Sequence, residues 1–244
     1  MQPIVCLDSG FSNDGSTAFG WRHAGQYRVV TDASDLSGAL GELADQAAAG
    51  RHVVFTLAFE ASALLMQMPA RFSMRHHSPR LLEAMIFDRP PEPIAVDPID
   101  TFDAPPQWSH PDYDAYARAF QTIQDAIASG VCYQINHTFR LQGTFADDPW
   151  MLYRWLCSTQ PALYGGYVQF GERQVLSRSP ELFIKKRGST VRSEPMKGTA
   201  KRFADPVKDQ KSLDTLRHDP KMQAENLMIV DLIRNDLSKV AKPQ

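Results

Sequence analysis

The chain has 244 residues, 43% of them hydrophobic and 22% charged, with 26 Lys and Arg against 28 Asp and Glu for a formal net charge of −2. That is apolar enough for a sizeable core, in one large domain or two small ones, and it leaves no basic excess for nucleic acid or an anionic membrane. The first eight residues carry no basic stretch and no window approaches ~18 consecutive apolar residues, so neither a secretory leader nor a membrane span is expected. Cys6, Cys132 and Cys157 are far apart, form no CxxC pair and sit among apolar neighbours. They read as reduced thiols of a cytoplasmic protein, not as a disulfide frame or zinc site.

Residues 4–7 predict a first strand, and residues 35–49 an amphipathic helix closed by Gly50. Residues 52–59 predict a buried strand running into Glu60 and Ala61. Between residues 87 and 106, prolines at 90, 91, 93, 98, 105 and 106 exclude a helix or a central strand and predict a linker. Two regions follow: a variable amino-terminal layer with its linker, 1–106, and a second region, 107–244. Ser109, followed by Pro111 and Asp112, predicts a helix start. Tyr113, Tyr116, Phe120, Ile123 and Ile127 then form its apolar stripe, which Gly130 ends. Strict alternation over 131–141 predicts a strand with Val131, Tyr133, Ile135, His137, Phe139 and Leu141 on its packed face.

Asp148 and Pro149 predict a second helix, through Cys157. Four short strands are expected at 163–170, 174–177, 182–186 and 190–192. Asp219 and Pro220 start a last helix that runs to about residue 240. Its apolar residues cover most of the circumference, so it is expected to be buried. Strands and helices interleave without a regular βαβ rhythm, which makes the class α+β.

The chemistry is concentrated in three segments. In Glu194-Pro195-Met196-Lys197-Gly198-Thr199 a lysine is wedged between a proline and a glycine, on a stiff turn after a strand. A lysine becomes a nucleophile only when desolvation or neighbouring cations lower its pKa from about 10.4. The plain alternative is a solvated lysine. In Ser177-Arg178-Ser179-Pro180-Glu181-Leu182-Phe183, Glu181 stands at the mouth of an apolar strand, where burial would help a carboxyl keep its proton as a general acid. Its alternative is a salt bridge to Arg178 or Lys185. Glu225, early in the last helix, is either a metal ligand or the partner of Lys221 one turn back. Asp231, Arg234, Asn235 and Asp236 read as a structural polar network along the same helix. His137 reads as a core or edge histidine, and His76-His77 as an isolated pair in a polar loop.

These segments, with Tyr133-Gln134-Ile135-Asn136-His137-Thr138-Phe139-Arg140 and the stretch from Ala224 to Leu237, occur in the order and near the spacing seen in chorismate-utilising enzymes. The chain resembles that family from about Tyr113 onward, and more weakly before it. Lys197 selects a branch: anthranilate synthases resemble Pro-Ile-Ala-Gly-Thr at this turn, whereas aminodeoxychorismate synthases are similar to Pro-Ile-Lys-Gly-Thr. Met196 replaces the isoleucine, a volume-conserving swap. The resemblance is therefore nearest to aminodeoxychorismate synthase component I.

The resemblance implies two packed antiparallel sheets with helices outside. It implies Lys197 as covalent nucleophile, Glu181 as the acid that protonates the departing 4-hydroxyl of chorismate, and Gly198 and Thr199 as substrate contacts. It also implies Glu225 as a ligand of Mg²⁺, and a glutamine amidotransferase subunit as the source of ammonia. The family's catalytic domain continues past the point matching Gln244, so the sequence is expected to be an amino-terminal portion, inactive and unstable alone. The alternative is a non-catalytic fragment or split-protein half; a lesser alternative is anthranilate synthase component I.

Overall fold

The computed structural model describes residues 1–9, 18–67, 80–97, 99, 107–160 and 162–242. The pair His76-His77 and most of the later half of the proline-rich stretch lie outside them. Every strand pairing among the described residues is antiparallel, and helices accompany the sheets, so the α+β class holds. The chain divides into two compact units, Met1–Asp97 with Gln160–Gln244, and Pro98–Thr159.

In the first unit, β1 (Val5–Ser9) is the middle strand of a five-stranded sheet. On one side lie β2 (Ala18–Trp21) and β6 (Glu92–Ile94); on the other lie β9 (Tyr164–Phe170) and β10 (Arg173–Ser179). Strands from both sides of the boundary drawn near residue 106 therefore share one sheet. The proline-rich stretch is also not wholly a linker, because β6 lies within it. Pro93 can pair opposite Phe19 because β6 is an edge strand, where a missing N–H breaks no inner ladder.

A three-stranded sheet runs β3 (Gln26–Val30), β5 (Leu82–Phe87), β4 (His52–Leu57). The sequence reading missed β5, which is buried along its whole length. Its alternate residues serve two cores. Leu82, Ala84 and Ile86 pack with Leu36, Ala39 and Leu43 of α1 (Ala33–Ala48), which is capped by Asp32. Met85 and Phe87 pack with Val5, Trp21, Val168 and Phe170. Glu83 shares the second face. It is 1% exposed, accepts from Tyr27 Oη at 2.6 Å, and pairs with Arg80 at 2.8 Å and with Arg173. Two guanidinium groups and a hydroxyl compensate its desolvation. A short helix, α2 (Ala61–Leu65), follows β4.

The remainder of this unit is the hairpin of β11 (Leu182–Arg187) and β12 (Thr190–Glu194), then α5 (Pro206–His218) and α6 (Pro220–Ser238). The last four predicted strands and the last helix are found at nearly the predicted bounds. The predicted burial of that helix is not: no residue of α6 is buried, and Leu227, Met228, Val230 and Leu232 are exposed. An apolar circumference needs neighbours on every side, and the described residues cover only part of it.

In the second unit, β7 (Gln107–Trp108) pairs with β8 (Gly143–Thr144), and α3 (Tyr113–Ala128) and α4 (Pro149–Thr159) match the predicted helices. The cap of α3 is Asp112, which accepts from the amides of Asp114 and Ala115; Ser109 Oγ accepts from Gln142 N instead. The predicted strand over 131–141 is a further correction. The segment joins no ladder, and Val131, Tyr133, Ile135, Phe139 and Leu141 are exposed. Alternation fixes which way side chains would point; a strand also needs a neighbour for its N–H and C=O groups, and the described residues offer none. His137 packs beside Tyr116, with ring centres 5.6 Å apart. Among the described residues no helix is long and apolar enough to cross a membrane.

Candidate active site

Hairpin register brings the first two candidates together. Leu182 at the start of β11 lies opposite Glu194 at the end of β12. The residues just outside that pair, Glu181 and the Pro195-Met196-Lys197 turn, are therefore neighbours at the open end of the hairpin. Glu181 Oε1 accepts from the Met196 amide at 3.3 Å, one residue from the lysine. The local turn is set by Ser179, whose Oγ accepts from the Glu181 amide at 3.3 Å.

Arg178 does not pair with Glu181. Its guanidinium reaches Asp8 of β1 at 2.6 Å, with both side chains about nine-tenths buried, and its Nε donates to the Gln160 carbonyl at 3.1 Å. Only a glycine fits beside this pair: a Cβ at position 165 would lie 1.8 Å from Asp8 Oδ1 and 2.3 Å from Arg178 Nη1. The buried ion pair anchors the end of β10, two residues before Pro180-Glu181. Glu181 itself is exposed, so the desolvation expected of it is not supplied by the described residues.

Lys197 is half-buried and makes no hydrogen bond or ion pair among the described residues. Gly198 has φ +81°, a left-handed conformation that costs a side-chain-bearing residue dearly. Its open side rests on the helices: a Cβ there would meet Met222 Sδ at 2.7 Å and Leu216 Cδ1 at 3.1 Å. Thr199 lines a cavity of about 410 Å³ with Phe203, Lys211, Thr215, Leu216 and Met222.

Beyond Thr199 the chain is fastened to α5. Arg202 grips Asp209 with Nε at 2.9 Å from Oδ1 and Nη2 at 2.8 Å from Oδ2. The Phe203 amide donates to Asp209 Oδ1 at 2.9 Å, and Ser212 Oγ donates to the Lys201 carbonyl at 2.7 Å. The Arg202 and Phe203 hydrogen bonds hold the Asp209 carboxyl below the ordinary carboxylate range. Asp209 and Ser212 escaped the sequence reading because α5 escaped it.

Glu225 lies one turn beyond Met222, on the same face of α6. Its carboxylate is 3.9 Å from the Lys221 ammonium, the plainer of its two expected roles. Among the described residues no group of three or more His, Cys, Asp or Glu side chains could hold a metal ion. A hard divalent cation takes about six oxygens. The residues present do not make up a magnesium site; Glu225 is at most one donor.

The hairpin end thus sets Glu181 beside the lysine turn, and Gly198 rests that turn on Leu216 of α5 and Met222 of α6. The chain belongs to the chorismate-binding enzyme family, which matches residues 94–244. Aminodeoxychorismate synthase component 1 of Klebsiella aerogenes is 42% identical over 130 residues, 53% of this chain and 29% of that protein. Anthranilate synthase component 1 of Streptomyces coelicolor is 41% identical over 121 residues, 49% of this chain and 24% of that protein. The fold is similar to that of a Bacillus anthracis protein described as a 2,3-dihydroxybenzoate-specific isochorismate synthase. There the TM-score is 0.62 at 17% identity, over 94% of this chain and 58% of that one. The matched stretches thus span under a third of these curated relatives.

Proposed function

We propose that the chain supplies the lysine-bearing part of an aminodeoxychorismate synthase component I, which converts chorismate and ammonia to 4-amino-4-deoxychorismate. The observation that carries this reading is the Met196 amide on Glu181 Oε1, which puts an acid motif and a lysine turn side by side. Neutral Lys197 Nζ adds to ring carbon 2, both conjugated ring double bonds shift by one position, and the C4–O bond breaks. Glu181 gives its proton to the departing hydroxyl, which leaves as water. Ammonia then adds at carbon 4, both double bonds shift back, lysine leaves as the amine, and the new ammonium returns one proton to Glu181. Covalent catalysis of this kind replaces one hard substitution with two easier ones.

Ammonia would come from a glutamine amidotransferase partner. Chorismate is anionic, and we propose Mg²⁺ as its counter-ion in the assembled site, with Glu225 one donor among carboxylates from outside the described residues. No step above depends on the ion. Gly198 and Thr199 are proposed as substrate contacts, since they border the lysine. A second reading, in which the chain acts only by associating with another polypeptide, is favoured by the exposed apolar residues of α6 and of 131–141.

The test is to fuse or co-express the chain with the remainder of an aminodeoxychorismate synthase component 1 and assay ammonia-dependent product. Lys197→Ala should lower turnover on the order of 100-fold or more. Formation of anthranilate, or full activity in Lys197→Ala, would show the branch assignment to be wrong.

A further inference from the structure

We infer that Asp209 is a positioning residue for Lys197, acting through a latch that fastens the lysine loop to α5; this rests on the reading of Lys197 as the nucleophile. Asp209 lies in the first turn of α5, where the helix N-terminus favours a carboxylate. It takes the Arg202 fork and the Phe203 amide together, and Ser212, three residues on and so on the same helix face, takes the Lys201 carbonyl. Three consecutive loop residues are thereby bound to one helix.

The Arg202–Asp209 pair alone would do little, since Arg202 is 87% exposed and its charge is screened by water. The two bonds to loop backbone are different in kind, because they fix the path of the chain. Upstream, the Met196 amide is held by Glu181, and Gly198 is pressed against Met222 and Leu216. Lys197 therefore lies between two fixed points, one on the hairpin and one on the helices. Releasing the latch lets Gly198 turn away from Met222, and the half-buried Lys197 side chain then swings into water. Orientation of a reacting group is worth large factors in rate, so a residue that never touches substrate can still control the lysine.

The experiment uses the full 244-residue chain and its Asp209→Asn, Asp209→Glu and Ser212→Ala variants. Hydrogen exchange at the Phe203 amide reads the latch. The rate of Lys197 acetylation at one fixed pH, relative to exposed Lys239, reads how far the side chain is covered. Asp209→Asn should speed Phe203 exchange on the order of tenfold and raise the Lys197 acetylation rate towards that of Lys239. Asp209→Glu should restore part of both. Faster exchange with an unchanged Lys197 acetylation rate would make the latch merely structural and overturn the proposal, as would unchanged exchange. If Asp209→Asn fails to fold by circular dichroism, Ser212→Ala decides by the same two readouts. An active Lys197→Ala enzyme would remove the nucleophile reading while leaving the labelling result standing, so the two failures are distinguishable.

Discussion

Replacing Gly198 by alanine isolates how the lysine turn is held. Two costs arise at once. A residue with a side chain at φ +81° is strained by about 1 to 2 kcal/mol. The added Cβ would also sit 2.7 Å from Met222 Sδ and 3.1 Å from Leu216 Cδ1, closer than carbon tolerates. Methionine is flexible, so part of that clash is relieved by movement, at a further cost of about 1 kcal/mol or more. The sum, at least about 2 kcal/mol, favours an open loop on the order of 30-fold.

Trypsin reports that opening directly, because Lys197, Lys201 and Arg202 all lie within the loop. When closing is fast relative to cleavage, the rate tracks the open population. Gly198→Ala should therefore raise cleavage at these three positions about 30-fold, leaving sites in the β9–β10 sheet unchanged. Met222→Ala removes the nearer contact but not the backbone strain or the Leu216 contact. In that background the effect of Gly198→Ala should shrink by roughly 1 kcal/mol, a coupling a double-mutant cycle resolves. An unchanged cleavage rate in Gly198→Ala would refute the idea that the turn is pinned by its conformation and its helix contact.

Two further outcomes follow from the same geometry. The chain by itself should bind Mg²⁺ no more tightly than about 1 mM, because Glu225 is a single donor beside Lys221, and Glu225→Gln should leave that titration unchanged. In the assembled enzyme the same variant should raise the magnesium requirement about tenfold or more; calorimetric binding by the chain alone below about 0.1 mM would refute this. Acid should release the latch late. The Asp209 carboxyl is lower in the folded chain than when unfolded, so its stabilisation is full above the ordinary value of about 3.9 and is lost as pH falls through the folded one. Phe203 amide protection, corrected for intrinsic exchange, should persist at about pH 4 and fade below it, and loss by about pH 5 would contradict the assignment.

Much of this fold was legible because its signals are local. The Asp-Pro pairs at 148–149 and 219–220 start helices where expected, since aspartate caps and proline suits the first turn. The same pair at 205–206 starts α5 and was overlooked. That helix is mostly polar, so no apolar stripe followed the cap to confirm it. With α5 went Asp209 and Ser212, whose part is visible only when a loop six residues away folds back. Strand β5 was hidden for the opposite reason. Buried on both faces, it shows little alternation, and Glu83 at its centre reads as surface until its arginines are found. Of the proposed site, the motifs gave Glu181 and Lys197, but their proximity comes from hairpin register, which the motifs do not encode.

Burial is where local reasoning failed most clearly, and the failures share a direction. Glu181, the 131–141 segment and α6 were each expected to be covered by protein; Glu181, most of 131–141 and four apolar residues of α6 are exposed. All three expectations came from apolar residues that lack neighbours among the described residues. The proposed chemistry needs the same cover. A carboxyl holds its proton for a departing hydroxyl, and a lysine loses one to attack, most readily where water is excluded. Folding and reactivity thus make one demand on the same surfaces. Cover over α6, on which Gly198 rests, would also dry the space around Lys197. The hairpin and the latch would aim these residues, and exclusion of water would make them reactive.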